Sequence, residues 1–155
     1  MTNQLVHYFI TQLSTHKKFY ATFVYGMNQD QLRLTLWADL QVLSQQINEA
    51  WCILGDFNSV LYKEDRIGGI KVQDHDVQHQ ATFLDTYDLQ ELRWTGAYYS
   101  WSNKTIWSGI DRVFTNLLWY DTMEFTQTHY LPYELSDHTP LLIMFSSSPR
   151  PQVKF

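Results

Sequence analysis

The hydrophobic pattern begins with two short apolar runs, Leu5 to Leu13 and Phe19 to Tyr25, separated by the polar residues 14–18. Both runs are rich in aromatic and β-branched residues, which are frequent in strands. In the second run the apolar side chains alternate along the chain, with the period of a strand. The pattern predicts two strands joined as a hairpin, and Gly26 interrupts it.

The period changes between Asp30 and Glu49. Apolar side chains recur there every three or four residues, as on one face of an amphipathic helix; they are Leu32, Leu36, Leu40, Leu43 and Ile47. The run from Trp51 to Leu54 is short, continuous and apolar, which indicates a buried strand. Strand and helix patterns in this succession favour a layered α/β fold.

The rest of the chain continues to alternate between the two patterns. A loop containing Gly68 and Gly69 covers residues 59–74, and helices are predicted for residues 77–87 and 117–121. Further strands are predicted for residues 98–102, 110–115, 124–131 and 139–145. The end of the chain is rich in serine and proline, so we expect one domain over residues 1–146 and a flexible tail over residues 147–155.

Composition narrows the class of protein. The 155 residues are 45% apolar, enough for one packed core, and the net charge is −5 without a run of Lys or Arg. Such a chain is unlike a module that coats nucleic acid, which needs a basic stripe, but an acidic metal site agrees with it. Cys52 is the only cysteine, so no internal disulfide forms. We find no signal peptide or membrane span and expect an intracellular protein, for which the nucleus is one candidate location.

Polar residues with chemical potential stand at the ends of the predicted strands. They are Tyr25, Asp56, Asn58, Asp111 and the run Ser136-Asp137-His138. Taken singly, each has an ordinary explanation as an Asx turn, a surface ion pair or a cap. A serine-hydrolase triad is disfavoured because the chain has no Gly-x-Ser-x-Gly elbow. Because strand ends gather along one edge of a sheet, we expect these side chains to converge.

Together and in order, these segments resemble the endonuclease/exonuclease/phosphatase superfamily. The resemblance rests on Trp51-Cys52-Ile53-Leu54-Gly55-Asp56-Phe57-Asn58, on Ile110-Asp111-Arg112-Val113 and on Ser136-Asp137-His138-Thr139-Pro140-Leu141. More narrowly, the chain is similar to the endonuclease domain of plant LINE-type (non-LTR) retrotransposons, through Arg66-Ile67-Gly68-Gly69 and Tyr99-Ser100-Trp101-Ser102-Asn103. The resemblance extends over residues 5–145. It implies the C-terminal part of a four-layer, DNase I-like α/β sandwich, in which helices flank two β-sheets.

The resemblance also implies roles for individual residues. Asp56 would orient and deprotonate the attacking water, and Asn58 would hold a phosphate oxygen. His138 would contact the scissile phosphate while Asp111, which we expect to hydrogen-bond it, fixes its tautomer. Tyr25 would contact the phosphate or the leaving oxygen. Four further positions complete the implied site: Ser100, Asn103 and Ser136 as substrate-binding residues, and Asp137, with Asp56, as a metal ligand.

Metal-dependent hydrolysis of a phosphodiester, with DNA as substrate, is therefore the expected function. Oxygen ligands favour Mg²⁺, or Mn²⁺, as the cofactor. Relatives carry an Asn and a metal-binding Glu on two strands before the hairpin, whereas Glu49 is the first glutamate here. The comparison predicts an N-terminally truncated domain with little or no Mg²⁺-dependent cleavage of DNA. It also predicts an apolar patch or unpaired strand edge near residues 5–25, with self-association.

Two other functions stay open on the sequence alone. The chain is also consistent with a non-catalytic module that keeps the fold and binds nucleic acid or protein. A phosphatase that acts on a small phosphorylated molecule is the second alternative. By resemblance, the Trp101-Ser102-Asn103 neighbourhood favours a nuclease over the phosphatase. A metal-dependent cleavage assay on plasmid DNA would separate the nuclease from the non-catalytic module.

Overall fold

The structure is a computed structural model that describes residues 2–146. It contains three α-helices, α1 (Asp30–Gln46), α2 (Asp74–Thr86) and α3 (Leu117–Thr122). The strands are β1 (Leu5–Thr11), β2 (Lys18–Tyr25), β3 (Trp51–Asp56), β4 (Arg66–Ile67), β5 (Gln90–Glu91), β6 (Trp94–Gly96), β7 (Trp101–Ser102), β8 (Trp107–Ser108), β9 (Asp111–Thr115), β10 (Gln127–Tyr130) and β11 (Leu141–Met144).

A five-stranded sheet in the order β1-β2-β3-β9-β5 forms the centre of the molecule. The predicted hairpin is present, because β1 pairs antiparallel with β2 from Leu5 opposite Val24 to Thr11 opposite Lys18. After the α1 crossover, β3 returns parallel to β2. β9 then runs antiparallel to β3. The apolar run at Trp51 thus becomes a central strand, as its continuous hydrophobicity predicts.

Helices α1 and α2 cover one face of this sheet. Their leucine and aromatic side chains form a core with alternate residues of the strands: Leu36, Leu40 and Leu43 from α1, Phe83 and Leu84 from α2, and Val24, Ile53 and Phe114 from the sheet. Trp37 stacks between the helices, with ring centroids 6.0 Å from Phe57 and 5.7 Å from Phe83. Burial of such side chains contributes about 1.5–3 kcal/mol each, which fixes the helices on the sheet.

The opposite face of the large sheet packs against α3 and a smaller sheet in the order β11-β10-β6. The second core combines Phe19, Cys52 and Val113 from the large sheet with Trp119 and Met123. Leu141 and Ile143 of β11 lie against this core. Two sheets with helices outside form the α/β sandwich that the family resemblance implies, and they agree with the layered α/β fold predicted from the pattern. Cys52 is buried, as expected for a small apolar residue in the strand.

A third sheet, in the order β4-β8-β7, consists of three strands of two residues each. A buried ion pair ties it to the central sheet, because the guanidinium of Arg112 on β9 binds the Asp65 carboxylate just before β4. Arg112 also binds Glu91 of β5 at 2.6 Å. Asp65 in turn accepts the backbone N–H groups of Leu61 and Tyr62, at 3.1 and 2.7 Å. The alternative interpretation of Asp111-Arg112 as a surface ion pair is therefore wrong.

The predicted burial of the first helix differs from the structure at one position. Leu32, assigned to the buried face of the first helix, is exposed, whereas Arg33 is buried. The reason is that the guanidinium of Arg33 donates to the carbonyls of Met27 and Asn28, both at 2.7 Å, and closes the turn before α1. The predicted tail, residues 147–155, lies outside the described residues. Within residues 2–146, no helix has both the length and the hydropathy to cross a membrane.

Candidate active site

Three of the predicted site residues lie in one row across the large sheet. The register places Tyr25 of β2 beside Asp56 of β3, and Asp56 beside Asp111 of β9. Residues paired across neighbouring strands project to the same face. The row therefore delivers a phenol and two carboxylates to one edge, where all three strands begin or end.

Gly55 permits this arrangement. Its φ of 133° belongs to a region that side chains rarely adopt, and a Cβ there would lie 2.2 Å from the carbonyl oxygen of Val24. Only glycine lets β3 approach β2 so closely. The pairing of β3 with β2 thus continues through Gly55 to Asp56, which places the carboxylate at the end of the strand.

Asn58 closes the turn after β3 and holds Asp56 in place. Its φ is 47°, a left-handed conformation that asparagine tolerates. The Asn58 backbone N–H donates to Asp56 Oδ1 at 2.8 Å, and its side-chain amide donates to the Gly26 carbonyl at 2.7 Å and to Asp56 Oδ2 at 3.3 Å. The Asx turn considered from the sequence is real, and it also orients the carboxylate.

His138 approaches the row from the segment that precedes β11. Its Nδ1 lies 2.9 Å from Asp111 Oδ2, which confirms the predicted hydrogen bond. Because an ionised carboxylate only accepts, Nδ1 carries the proton. The other ring nitrogen, Nε2, lies 3.8 Å from Asp56 Oδ2. A backbone bridge to Trp101 and a hydrogen bond from Thr139 N to the Ser100 carbonyl at 2.7 Å fix this segment.

The two carboxylates of the row repel each other, because Asp56 and Asp111 are direct neighbours across β3 and β9. Burial, and then the neighbouring charge of Asp111, raise the pKa of Asp56 to about 6. Burial lowers the pKa of His138, but the hydrogen bond and charge of Asp111 and the charges of Asp56 and Asp137 outweigh it, so the net pKa is raised. The imidazole therefore favours its cationic form beside two carboxylates.

The donor set suits a divalent cation. One ligand atom from each of Asp56, Asp111 and His138 lies within 4.8 Å of the others. The carboxylate oxygens of Asp56 and Asp111 are the ligands that Mg²⁺ and Mn²⁺ prefer, whereas His138 can bind a metal only in its neutral form. The raised pKa of Asp56 indicates negative charge that a cation would compensate.

Asp137 lines the same cavity but faces a different partner. Its Oδ2 accepts the indole N–H of Trp101 at 3.0 Å. This hydrogen bond is the main reason why the pKa of Asp137 is lowered, so the carboxylate is ionised at neutral pH. The metal role assigned to Asp137 stays a prediction, because the ligand atoms that converge belong to Asp56, Asp111 and His138.

The three residues assigned to substrate binding lie away from the cavity lining. Ser100 is buried, and its hydroxyl accepts the backbone N–H groups of Ile110 and Asp111 at 3.1 and 2.9 Å. Asn103 accepts the N–H groups of Thr105 and Ile106, at 3.0 and 2.7 Å. Ser136 accepts the His138 N–H at 3.1 Å. All three position neighbouring backbone, and Ser100 positions Asp111 directly.

The row opens into a cavity of about 370 Å³. Its lining includes five residues that the sequence did not assign to the site: Asn28, Arg66, Trp101, Ser108 and Ile110. Arg66 donates from Nε to Ser108 Oγ at 3.1 Å, and this hydrogen bond orients its guanidinium. Arg66 belongs to the Arg66-Ile67-Gly68-Gly69 segment of the family resemblance, which is a signal in the sequence. The direction of its side chain, however, depends on the pairing of β4 with β8.

The fold is shared with solved structures of several enzymes. The endonuclease domain of TRAS1, a telomere-specific non-LTR retrotransposon, has 15% identity and a TM-score of 0.69, over 94% of this chain and 64% of that one. The Xenopus laevis APE2 catalytic domain has 17% identity and a TM-score of 0.58, over 91% and 54%. The Bacteroides thetaiotaomicron mannosyl-6-phosphatase Bt3783 has 15% identity and a TM-score of 0.56, over 91% and 57%.

At these identities the likeness establishes the fold, and this chain spans less than two thirds of the length of each of the three structures. A comparison with curated proteins gave no significant match. The model of the Endonuclease/Exonuclease/phosphatase family matches residues 6–138, which include every residue of the row and His138. The chain therefore belongs to the Endonuclease/Exonuclease/phosphatase family, with a DNase I-like α/β sandwich fold.

Proposed function

We propose that this chain carries the carboxylate–histidine part of a metal-dependent phosphodiesterase site that acts on DNA, of retrotransposon origin. The Asp111–His138 hydrogen bond of 2.9 Å beside the buried carboxylate of Asp56 carries the proposal. Hydrolysis of a phosphodiester requires an activated water and compensation of the charge that develops on oxygen. The row and His138 offer groups for both tasks.

Asp56 is the general base of the proposed reaction. A base works best when its pKa lies near the working pH, and burial raises the pKa of Asp56 to about 6. The amide of Asn58 and its backbone N–H hold the carboxylate in one orientation. Asp56 can thus accept a proton from a water that attacks the phosphorus.

His138 contacts a phosphate oxygen of the substrate in this proposal, while the general base, Asp56, acts on the attacking water. Asp111 holds the Nδ1 proton, so the protonated ring presents Nε2–H as a donor. A charge-assisted hydrogen bond to a phosphate oxygen strengthens as negative charge accumulates in the transition state. Ser100 supports the pair from behind, because its hydroxyl fixes the backbone N–H of Asp111.

Tyr25 and Arg66 complete the contacts to the substrate in this proposal. Tyr25 is exposed at the cavity mouth, where its hydroxyl can donate to a phosphate or leaving oxygen. Arg66 supplies a permanent cation that suits bidentate contact with phosphate. The positive charges of Arg66 and of protonated His138 in the cavity allow a chain of net charge −5 to receive an anionic DNA backbone.

A divalent ion, Mg²⁺ or Mn²⁺, held by the carboxylate oxygens of Asp56 and Asp111 would act as a Lewis acid on the phosphate. His138, protonated on both ring nitrogens, would contact the phosphate and not the ion. The cavity lining within the described residues contains no glutamate. We therefore expect slow cleavage, well below the turnover of about 1–1000 per second that is typical of enzymes.

The test is the nicking of supercoiled plasmid at a large excess of protein, with Mg²⁺, Mn²⁺ or EDTA. We expect slow, cation-dependent nicking that His138→Ala reduces by at least about 100-fold, the usual contribution of such a group. His79→Ala is the matched control, because His79 is exposed on α2 and is not among the residues that line the cavity. Equal nicking by both variants would mean that a contaminant or another site cleaves the DNA.

A small phosphate monoester is the second substrate in the same experiment. Release of phosphate from the monoester without any nicking would favour the phosphatase alternative. DNA binding without cleavage of either substrate, unchanged in His138→Ala, would favour the non-catalytic module. Turnover at an ordinary enzymatic rate would show that the described ligands are sufficient for catalysis.

A further inference from the structure

Strand β1 forms the outer edge of the large sheet. It pairs with β2 on one side, and within residues 2–146 no strand pairs with its other side. Free strand edges attract further strands, and proteins usually protect them with Lys, Pro or a bulge. The strand, Leu-Val-His-Tyr-Phe-Ile-Thr, contains no Lys, Arg, Asp, Glu or Pro.

The direction of the backbone groups along β1 follows from its ends. The Gln4 carbonyl accepts from Tyr25 N, and Gln12 N donates to the Lys17 carbonyl, both at 2.8 Å. In an antiparallel pair, hydrogen-bonded residues alternate along each strand. Even-numbered residues of β1 therefore bond to β2, and the odd-numbered ones, Leu5, His7, Phe9 and Thr11, direct their N–H and C=O groups outward.

These outward groups are complementary to themselves. If two copies meet antiparallel about a two-fold axis through Tyr8, Leu5 lies opposite Thr11 of the other copy and His7 lies opposite Phe9. Every outward residue is then half of a hydrogen-bonded pair. Moving the axis to any other residue of the strand leaves at least one outward residue without a partner in the opposing strand.

The side chains agree with the same register. Val6 and Tyr8 are 50% and 54% exposed, and the Tyr8 ring packs edge-on against Phe23 with centroids 6.2 Å apart. Across the axis, Tyr8 would face Tyr8 at a closely spaced, non-hydrogen-bonded position, and Val6 would face Ile10. The absence of charge means that antiparallel pairing brings no like charges together.

We propose that two copies of this chain associate through β1, with the two-fold axis at Tyr8, to form one continuous sheet. A second copy is the occupant that the edge fits, because the outward backbone groups of β1 pair completely with themselves about Tyr8. The strand also has no Lys, Arg, Asp or Glu that would oppose its own copy. Closed two-fold association also removes the free edge, which limits open-ended aggregation. The site row lies on other strands, so this association is independent of catalysis.

Disulfide cross-linking tests the register. Tyr8→Cys places two thiols at a directly opposed position, so mild oxidation should link the copies, as judged on non-reducing gels. Val6→Cys is the matched control on the same face with nearly equal exposure. In the proposed register residue 6 lies opposite residue 10, so the two introduced cysteines would be offset by four residues along the strands. At about 3.3 Å per residue this is about 13 Å, too far for a disulfide. Equal linking of both variants, or preferential linking of Val6→Cys, would overturn the register.

Sedimentation equilibrium tests the edge itself. We expect a dimer for the unmodified chain and for Phe9→Ala, which keeps the outward N–H. Phe9→Pro removes that N–H without removing a bond to β2, so it should shift the protein to monomer, with a cooperative melt that shows an intact fold. If Phe9→Pro unfolds, Tyr8→Lys serves instead, because it opposes two charges at the axis. An unmodified chain that stays monomeric at high concentration, or variants that remain dimeric, would refute the proposal.

Discussion

Asp56 and Asp111 are direct neighbours across β3 and β9, so their charges repel when both are ionised. The repulsion is relieved partly by His138, which hydrogen-bonds Asp111. From the sequence, convergence of these residues followed from their positions at strand ends. The orientation of Arg66 did not, because it depends on pairing between β4 and β8, which are two residues long and too short to show a period.

The raised pKa of Asp56 makes a stability prediction. The folded pKa of Asp56, about 6, exceeds its usual value of 3.8. The contribution of protonated Asp56 to the free energy of unfolding is therefore fully present below pH 3.8 and is lost as pH rises through about 6. Each pKa unit corresponds to about 1.4 kcal/mol, so ionised Asp56 costs up to about 3 kcal/mol. We expect Asp56→Asn, measured in EDTA by urea unfolding, to be stabilised by that order at pH 8 and by little at pH 4. A variant equally stable to the parent at both pH values would contradict this.

At the scale of elements, the long runs were predictable and the short ones were not. The hairpin, α1 and β3 each carry a clear period over several residues, and burial on one or two faces explains it. The two-residue strands β4, β5, β7 and β8 carry none, and the 98–102 run is reduced to Trp101–Ser102 as strand. Tertiary contacts hold them, above all the buried Asp65–Arg112 pair, which is 2% and 6% exposed.

The buried Asp65–Arg112 pair should contribute strongly to the stability of the fold. Arg112→Met removes the cation and leaves Asp65 and Glu91 buried without it, and loss of one partner of a buried pair costs about 3–5 kcal/mol. We expect a corresponding fall in the free energy of unfolding, measured with urea at pH 7. Arg93→Met is the control, because the Arg93 side chain is exposed and forms no ion pair within residues 2–146, and it should change stability by less than about 0.5 kcal/mol. Equal effects would mean that the pair contributes little.

For the whole molecule, strand order and the row of site residues agree with membership of the family, whose model spans residues 6–138. The apolar runs between turns predicted most strands and helices in outline, and the family resemblance implied their arrangement in two sheets. The sequence could not predict which ligand atoms meet, since Asp137 follows the same local pattern as Asp111. Only the packing of the 136–139 segment on Trp101 directs Asp137 to the indole and His138 to the row.

Thermal unfolding with and without a divalent cation tests whether the cation binds at Asp111 or at Asp137. A ligand that binds only the folded state stabilises it by about 2.7 kcal/mol at one hundred times its Kd. For a domain of this size that corresponds to a rise in Tm of several degrees. We expect Mn²⁺ to raise the Tm of the chain and of Asp121→Asn, an exposed control on α3. Asp111→Asn should lose the rise, because Asp111 is one of the three converging ligands. If Asp137→Asn loses it while Asp111→Asn keeps it, the cation binds at Asp137 and the cluster of Asp56, Asp111 and His138 serves only the phosphate.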